Sequence, residues 1–315
     1  MDLEKIKTIF LKNYSFCEKP NIELLREGPD NDVFLVKDEE GNKMAVFRIG
    51  KRDLGNDIIF ELQWLSYFHK KGLPVPEIIK TNQGRDFFID DEGKVGVVFK
   101  YVKGSPIKIE KDKKSNLDLV AKAAISLAKI HNLSFGINFN LSRKRNIFTE
   151  VDRALATAKK LIKYQEGGKE FIEKLKFYKN FAEKNNNNHY LIHNDYRAGN
   201  VFFDKGQVSA ILDFDWSCIG PSVKDLALAL VEWSYPDGEE KHFEDVFNIF
   251  LDSYNQEAKN KIKKDNNLYS WICFSCLSDA ATYFADLVSQ NIYKKTSSCY
   301  MYKKFLYFEN KFHGK

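Results

Sequence analysis

The hydrophobic pattern changes period about a third of the way along the chain. Leu3, Ile6, Ile9 and Phe10 recur at helical spacing, so residues 2–14 are predicted as an amphipathic helix. Short apolar runs follow at Ile22–Arg26, Val33–Val36, Met44–Ile49, Asp86–Ile89 and Val95–Tyr101, separated by turn residues such as Asp38-Glu39-Glu40-Gly41-Asn42, and read as strands. In Met44–Ile49, alternation sends Ala45, Phe47 and Ile49 to one face and Val46 and Arg48 to the other. One helix, about 56–71, interrupts the strands with Ile59, Leu62, Leu65 and Phe68 on its apolar stripe. Gly72-Leu73-Pro74-Val75-Pro76 ends it, because Gly stops a helix and Pro cannot continue one. Past Gly104 the period is helical, near 117–131, 148–164, 168–184, 222–234, 240–258, 267–290 and 297–312. A hairpin breaks that series: Asn200–Phe203 and Val208–Leu212 are apolar runs joined by a Lys205-Gly206 turn. The pattern is therefore α+β, strand-rich over 1–102 and mainly helical over 103–315.

Composition narrows the class. A length of 315 residues allows two lobes with cores of their own. With 43% hydrophobic and 30% charged residues the chain reads as soluble and globular. Its longest strongly apolar stretch, Leu226–Trp233, falls far below the ~20 residues of a membrane helix, so no membrane partner is expected. Met1-Asp2-Leu3-Glu4-Lys5 leads into no apolar signal core, and five scattered cysteines suit a reducing cytosol. Cys273 and Cys276 form a CxxC without a second pair and read as core packing. The net charge of +5 is spread out, with no basic block of interleaved aromatics, which argues against nucleic acid. Acids gather between Pro221 and Asn260, nine against three lysines.

The chemistry lies around the hairpin, in LIHNDYRAGNVFFDKGQVSAILDFD. His193, Asp195 and Asn200 have the H-x-D-x-x-x-x-N spacing of a phosphoryl-transfer loop, in which the Asp accepts a hydroxyl proton and the Asn holds magnesium. The hairpin would bring Asn200 beside Asp213, so that an amide oxygen and a carboxylate can share one hard cation. Asp and Asn are common in turns for local reasons, but here a third carboxylate follows a strand, and an apolar helix follows that.

At these residues the chain resembles the aminoglycoside phosphotransferase and choline kinase superfamily, whose signature is similar to H-G-D-x-x-x-x-N, a strand, then I-D-[FW]. Asn194 departs from the aminoglycoside branch, where Gly is usual, and matches the H-N-D of choline and ethanolamine kinases. Gly-Leu-Pro-Val-Pro at 72–76 and Leu-Ala-Lys-Ile-His at 127–131 also look like this superfamily.

The resemblance implies a two-lobed protein-kinase-like fold, with a small, mostly antiparallel sheet lobe for the nucleotide and a larger helical lobe. It implies transfer of the γ-phosphoryl of ATP, with magnesium, to a hydroxyl of a small molecule. Asp195 would be catalytic, Asn200 and Asp213 metal ligands, His193 and Asp225 supports of the loop. Arg48, paired with Glu61, would hold phosphates, with Lys51 and Arg52 as rival cations. The loop Glu27–Asp32, including Asn31, would cover the phosphates, and the linker Val98–Val102, with Phe99 and Tyr101, would meet adenine. His131 reads as a buried helix-end group. The superfamily binds its second substrate in the C-terminal helices, so the acids there suggest an amine-bearing acceptor contacted by Asp215 and Glu232. Homoserine, choline or ethanolamine, a sugar and an aminoglycoside all remain candidate acceptors, and a pseudokinase is the reading from another class. A protein kinase is disfavoured, because no A-P-E segment follows Asp213-Phe214-Asp215.

Overall fold

In the computed structural model, which describes residues 2–28, 31–50, 56–109, 114–137, 143–187, 189–236 and 241–313, the chain opens with helix α1, Leu3–Asn13. The Asp2 side chain caps it, accepting from the Glu4 N–H at 3.0 Å and so satisfying one of the unpaired donors of the first turn. Ile6, Phe10 and, just beyond the helix, Tyr14 pack on one face of an antiparallel sheet. That sheet runs β1 (Asn21–Glu27), β2 (Asn31–Lys37), β3 (Lys43–Gly50) and β6 (Val95–Lys100), with two-residue strands β4 (Ile78–Ile79) and β5 (Phe88–Ile89) also paired to β6. Alternation along β3 is as expected: Ala45, Phe47 and Ile49 join the core under α1, while Val46 and Arg48 turn to a cleft.

Helix α2, Asn56–Lys70, ends at Gly72, whose φ of +77° lets the Leu73 N–H reach back to the Phe68 carbonyl at 3.0 Å. The extended Pro-Val-Pro segment then does structural work, since the Pro74 carbonyl accepts from the Ile211 N–H at 2.7 Å. The chain enters its helical part at Gly104, φ +124°. A Cβ there would lie 2.5 Å from Ser209 Oγ and 2.7 Å from the Phe203 oxygen, so both conformation and space demand glycine. Strand β7 (Ser105–Pro106) pairs with β9 (Val201–Asp204), which pairs in turn with β10 (Gln207–Ile211).

The helices are α3 (Lys114–Ser134), α4 (Thr149–Ala156), α5 (Ala158–Tyr164), α6 (Gly168–Asn185), α7 (Ser222–Ser234), α8 (Glu244–Glu257), α9 (Asn266–Ser289) and α10 (Tyr300–His313). Helix α9 is central and packs against α4, α6, α7 and α10, with Trp271, Phe274, Leu277 and Phe284 fully buried. Cys273 and Cys276 share its buried surface, and all five cysteines are buried and free. No helix among the described residues is long and apolar enough to cross a membrane.

The structure departs from the sequence pattern in several places, among them the unexpected strands β4 and β7 and the shortening of the strand expected over 86–89 to Phe88–Ile89. The helix expected over 148–164 is two helices, broken at Thr157 (φ −101°, ψ 12°), whose hydroxyl donates to the Ala154 carbonyl at 3.0 Å. Strands β8 (Tyr190–Ile192) and β11 (Cys218–Gly220) pair antiparallel, each too short to show alternation. The helix expected from 240 starts at Glu244, with 237–240 outside the described residues. Pro29, Asp30, Lys51 and Arg52 also lie outside them.

Candidate active site

Pairing of β8 with β11 sets Ile192 opposite Cys218 and delivers the His193–Asn200 loop to the cleft. Asp225, fully buried on α7, clamps the start of this loop by accepting from the His193 N–H at 2.7 Å and the Asn194 N–H at 2.8 Å. It also takes a bond from His131 Nε2 at 3.0 Å, while His131 Nδ1 lies 2.7 Å from the Tyr254 hydroxyl. Burial works to raise the Asp225 carboxyl, but His131 and the loop N–H groups hold it below its ordinary value. His131 is thus a buried helix-end residue, as expected, and a brace for Asp225. His193 donates through Nε2 to the Leu212 carbonyl at 2.9 Å and accepts the Asp195 N–H at Nδ1, 3.3 Å. Burial lowers its pKa, which suits the neutral ring that this pairing needs. Trp233 Nε1 donates to the Tyr196 carbonyl at 3.1 Å, so α7 holds the loop a second time.

The Asn200 amide donates to both the carbonyl and the carboxylate of Asp195, each at 2.8 Å. Both N–H groups then point at Asp195, leaving the amide oxygen free for another partner. Asn200 closes a short 3₁₀ turn just ahead of β9, and its carbonyl accepts from the Leu212 N–H at 2.8 Å, which brings Asp213 alongside. Asp213 holds a left-handed φ of +66°, a strained setting for a non-glycine residue. Burial pushes its carboxyl up, the neighbouring Asp215 adds to that, and Arg48 and Arg26 oppose it. Burial likewise lifts Asp195 to about 8, against the pull of Arg197.

A hard divalent cation fits this donor set, one amide oxygen and one carboxylate whose only ion pair is a long one, to Arg26 at 4.0 Å, among the described residues. Among the described residues no cluster of three His, Cys, Asp or Glu side chains forms a ready-made cage. A magnesium completed by nucleotide phosphates and water does not require one.

Arg48 forms a two-pronged pair with Glu61 of α2, both contacts 2.9 Å, and also meets Asp215 at 2.5 Å. Glu61 is pushed up by burial, with Arg48 pulling the other way; Asp215, half-buried, is held low by Arg48 against the cost of its desolvation. Asn31 donates its amide to Asp215, so residues from β2 and β3 converge on one carboxylate. The Phe99 ring lies under the Arg48 guanidinium, 5.3 Å from centroid to carbon. Residues 98–100 are committed to sheet pairing, and the Tyr101 N–H donates to the Met44 carbonyl at 3.0 Å. Val102 is the linker residue whose N–H makes no hydrogen bond among the described residues.

These groups surround two adjoining cavities. The larger, about 480 Å³, is lined by Arg26, Gly28, Asn31, Arg48, Glu61, Phe99, Tyr101, Asn200 and Asp213 among others. The smaller, about 190 Å³, carries Arg145, Glu150, Lys224, Glu232, Asp279 and Tyr300. Asp195, Arg197 and Trp216 line both and form the seam between them.

The two residues expected to contact the acceptor, Asp215 and Glu232, line different cavities. Asp215 faces the larger cavity, drawn there by Arg48 and Asn31, and does not line the smaller one. Glu232 does line the smaller cavity, but it is committed to Lys304 at 2.9 Å. Among the acids of 221–260, Asp225 braces the loop, Glu244 pairs with Lys264 and Lys311, Asp245, Asp252 and Glu257 are exposed on α8, and Asp237, Glu239 and Glu240 lie outside the described residues. The sequence reading missed Arg143, which donates to the carbonyls of Asp215 and Ser217 and pins the turn after Asp213. It missed Arg145, stacked 3.8 Å over the Trp216 ring, and Lys224, bonded to the Asn194 amide oxygen. It also missed Asp279, whose signal was a lone acid in the apolar run Trp271–Phe284.

Comparison with known proteins agrees with this geometry. The model of the phosphotransferase enzyme family, APH, matches residues 21–253. The homoserine kinase of Bartonella tribocorum is 26% identical over 234 residues, 73% of this chain and 70% of that protein. The homoserine kinase of Bradyrhizobium diazoefficiens is 25% identical over 259 residues, 79% of this chain and 74% of its own. Among solved structures, amicoumacin kinase hAmiN, in complex with AMP-PNP, Ca2+ and Ami, superposes with a TM-score of 0.77 at 16% identity, over 99% of this chain and 94% of that one. Choline kinase from Cryptosporidium parvum gives a TM-score of 0.68 at 15% identity, over 98% and 95%. These structural likenesses speak for the fold, the two-lobed kinase-like one. The family match spans well over half of the chain, and the chain therefore belongs to the phosphotransferase enzyme family, as a small-molecule kinase.

Proposed function

We propose that this kinase transfers the γ-phosphoryl of ATP, with magnesium, to the hydroxyl of a small amino-acid alcohol of the homoserine class. The observation that carries the reading is the smaller cavity, joined through Asp195 to the larger one. At about 190 Å³ it falls below the ~300–1,000 Å³ of sites for drug-sized ligands, which favours a small acceptor over an aminoglycoside. It presents both signs of charge, with Arg145, Arg197 and Lys224 facing Glu150, Glu232 and Asp279, as a zwitterion needs and a neutral sugar does not. The similarity to homoserine kinases points the same way.

In this reading residues 1–102 form the nucleotide lobe and 103–315 the lobe for catalysis, metal and acceptor. Adenine reaches the linker at Tyr101–Val102, with Phe99 and Val46 as apolar walls. Arg48, oriented by Glu61, grips phosphate oxygens, and Asn31 lies beside them at the loop; an incoming triphosphate competes with Asp215 for Arg48. Asn200 and Asp213 would hold the magnesium, which neutralises charge developing on the phosphates when bound. Asp195, oriented by Asn200, positions the acceptor hydroxyl and receives its proton as the oxygen attacks. His193 and Asp225 keep the loop in place. Buried free cysteines suit a cytoplasmic setting.

The test is acceptor-dependent ADP release with homoserine, choline, ethanolamine, 1-amino-2-propanol, sugars and aminoglycosides. Homoserine should give the highest kcat/KM. A preference for sugars, or nucleotide binding without any turnover, would reject this reading in favour of a sugar kinase or a pseudokinase.

A further inference from the structure

We propose that Asp279 of α9 receives the ammonium group of the acceptor and thereby selects amine-bearing alcohols. The inference rests on reading the smaller cavity as the acceptor site. Among the described residues four carboxylates line that cavity, and three are already engaged. Asp195 accepts from Asn200 at 2.8 Å and lies 3.4 Å from Arg197; Glu150 pairs with Arg153 at 2.7 Å; Glu232 pairs with Lys304 at 2.9 Å. Asp279 enters no hydrogen bond or ion pair among the described residues.

Its place in the fold makes this unusual. Helix α9 is a core helix, and Trp271, Phe274, Leu277 and Phe284 are fully buried. Ser275, Ser278, Asp279 and Thr282 form a polar strip on it, and all four line the cavity. Burial, with Glu232 nearby, raises the Asp279 carboxyl to about 7, while Lys304, Lys224 and Arg197 pull it down. Asp279 is half-buried, with its open surface on the cavity, so a cation entering there meets a partly desolvated carboxylate. The cations around it are engaged elsewhere: Lys304 with Glu232, Lys224 with Asn194, Arg197 with Asp195. A small metal ion would need several oxygen ligands, whereas an alkylammonium is satisfied by one carboxylate with hydroxyls beside it. Asp195 and Asp279 share one cavity of about 190 Å³, so an acceptor a few bonds long places its hydroxyl at the first and its ammonium at the second.

The experiment compares wild type with Asp279→Asn, which keeps shape and removes charge, on acceptors matched with and without the amine. The pairs are homoserine with 4-hydroxybutyrate, and 1-amino-2-propanol with 1,2-propanediol. Asp279→Asn should reduce the kcat/KM ratio between amine-bearing and amine-free members by ~30-fold or more, leaving the nucleotide KM within about twofold. The Tm of the free enzyme should stay level or rise, because no protein partner is lost. Asp279→Ser is read the same way if the Asn variant is poorly soluble.

Persistence of the ratio, a wild type indifferent to the amine, or a marked fall in Tm would each overturn the inference. If homoserine is not phosphorylated but another amino alcohol is, the homoserine reading fails and Asp279 is judged on that alcohol. If no pair turns over, protection against thermal unfolding by the amine-bearing members is read instead. Its presence in wild type and loss in Asp279→Asn supports the role, and its absence in wild type overturns it.

Discussion

Arg48 of β3 donates to Asp215 at 2.5 Å across the cleft, although 167 residues separate them in the chain. With Glu61 on its other side, one guanidinium serves a buried and a half-buried carboxylate. Arg48→Met would leave those carboxylates facing each other without a cation. It should cost ~3–5 kcal/mol in denaturant unfolding and weaken nucleotide binding at least ~10-fold. Asp215→Asn should cost much less, because Arg48 keeps Glu61. Equal losses in the two variants would show that Asp215 is a structural ion and not a competitor for the phosphates.

Asp195→Asn should lower kcat by ~10²–10⁴-fold and leave nucleotide affinity within a few fold, since proton transfer and hydroxyl positioning matter to the chemical step. Steady-state kinetics beside a nucleotide titration check this. Turnover close to wild type would remove Asp195 from the mechanism.

For Asp213→Asn the readout is nucleotide affinity with and without magnesium. One carboxylate charge on the cation is lost, so the gain in affinity that magnesium brings should shrink. An undiminished gain would mean that the metal is held elsewhere.

The His242 side chain is almost wholly buried among Tyr235, Phe247, Tyr307 and Phe308, and burial lowers its pKa from 6.5 to about 4, helped by Lys311. The unfolded chain therefore binds a proton that the folded chain refuses between those values. The associated stability is complete above about pH 6.5 and falls as the pH drops toward 4, by on the order of 2 kcal/mol. His242→Phe should flatten that part of the stability profile in urea unfolding. An unchanged slope would assign it to other groups.

What the sequence reveals about this fold follows the range of the interactions. The β3 alternation, the Gly72 stop and the loop from His193 to Asp213 are written within a few residues of each other, and each carries its own periodicity or spacing. Asp279, Lys304 and Arg143 reach the site only through packing of α9, α10 and the segment before α4, which no local pattern encodes. The count of acids over 221–260 is coarse for the same reason. A sum of charges does not register that Lys304 neutralises Glu232, or that Lys264 and Lys311 neutralise Glu244. Thr157 broke a helix whose apolar spacing ran through it, because a hydroxyl bonded back to the preceding turn is invisible to hydrophobic periodicity.

Asn194 holds a φ of +64°, which glycine and asparagine reach at little cost and branched residues do not. Its amide is engaged at both ends, donating to the Trp216 carbonyl at 3.1 Å and accepting from Lys224. Glycine there would preserve the path of the loop yet untie both ends. The Lys224 ammonium would be released into the smaller cavity and the seam at Trp216 would lose a tether. In this chain the residue between His193 and Asp195 thus does more than shape a turn, since its side chain also decides where a neighbouring ammonium rests.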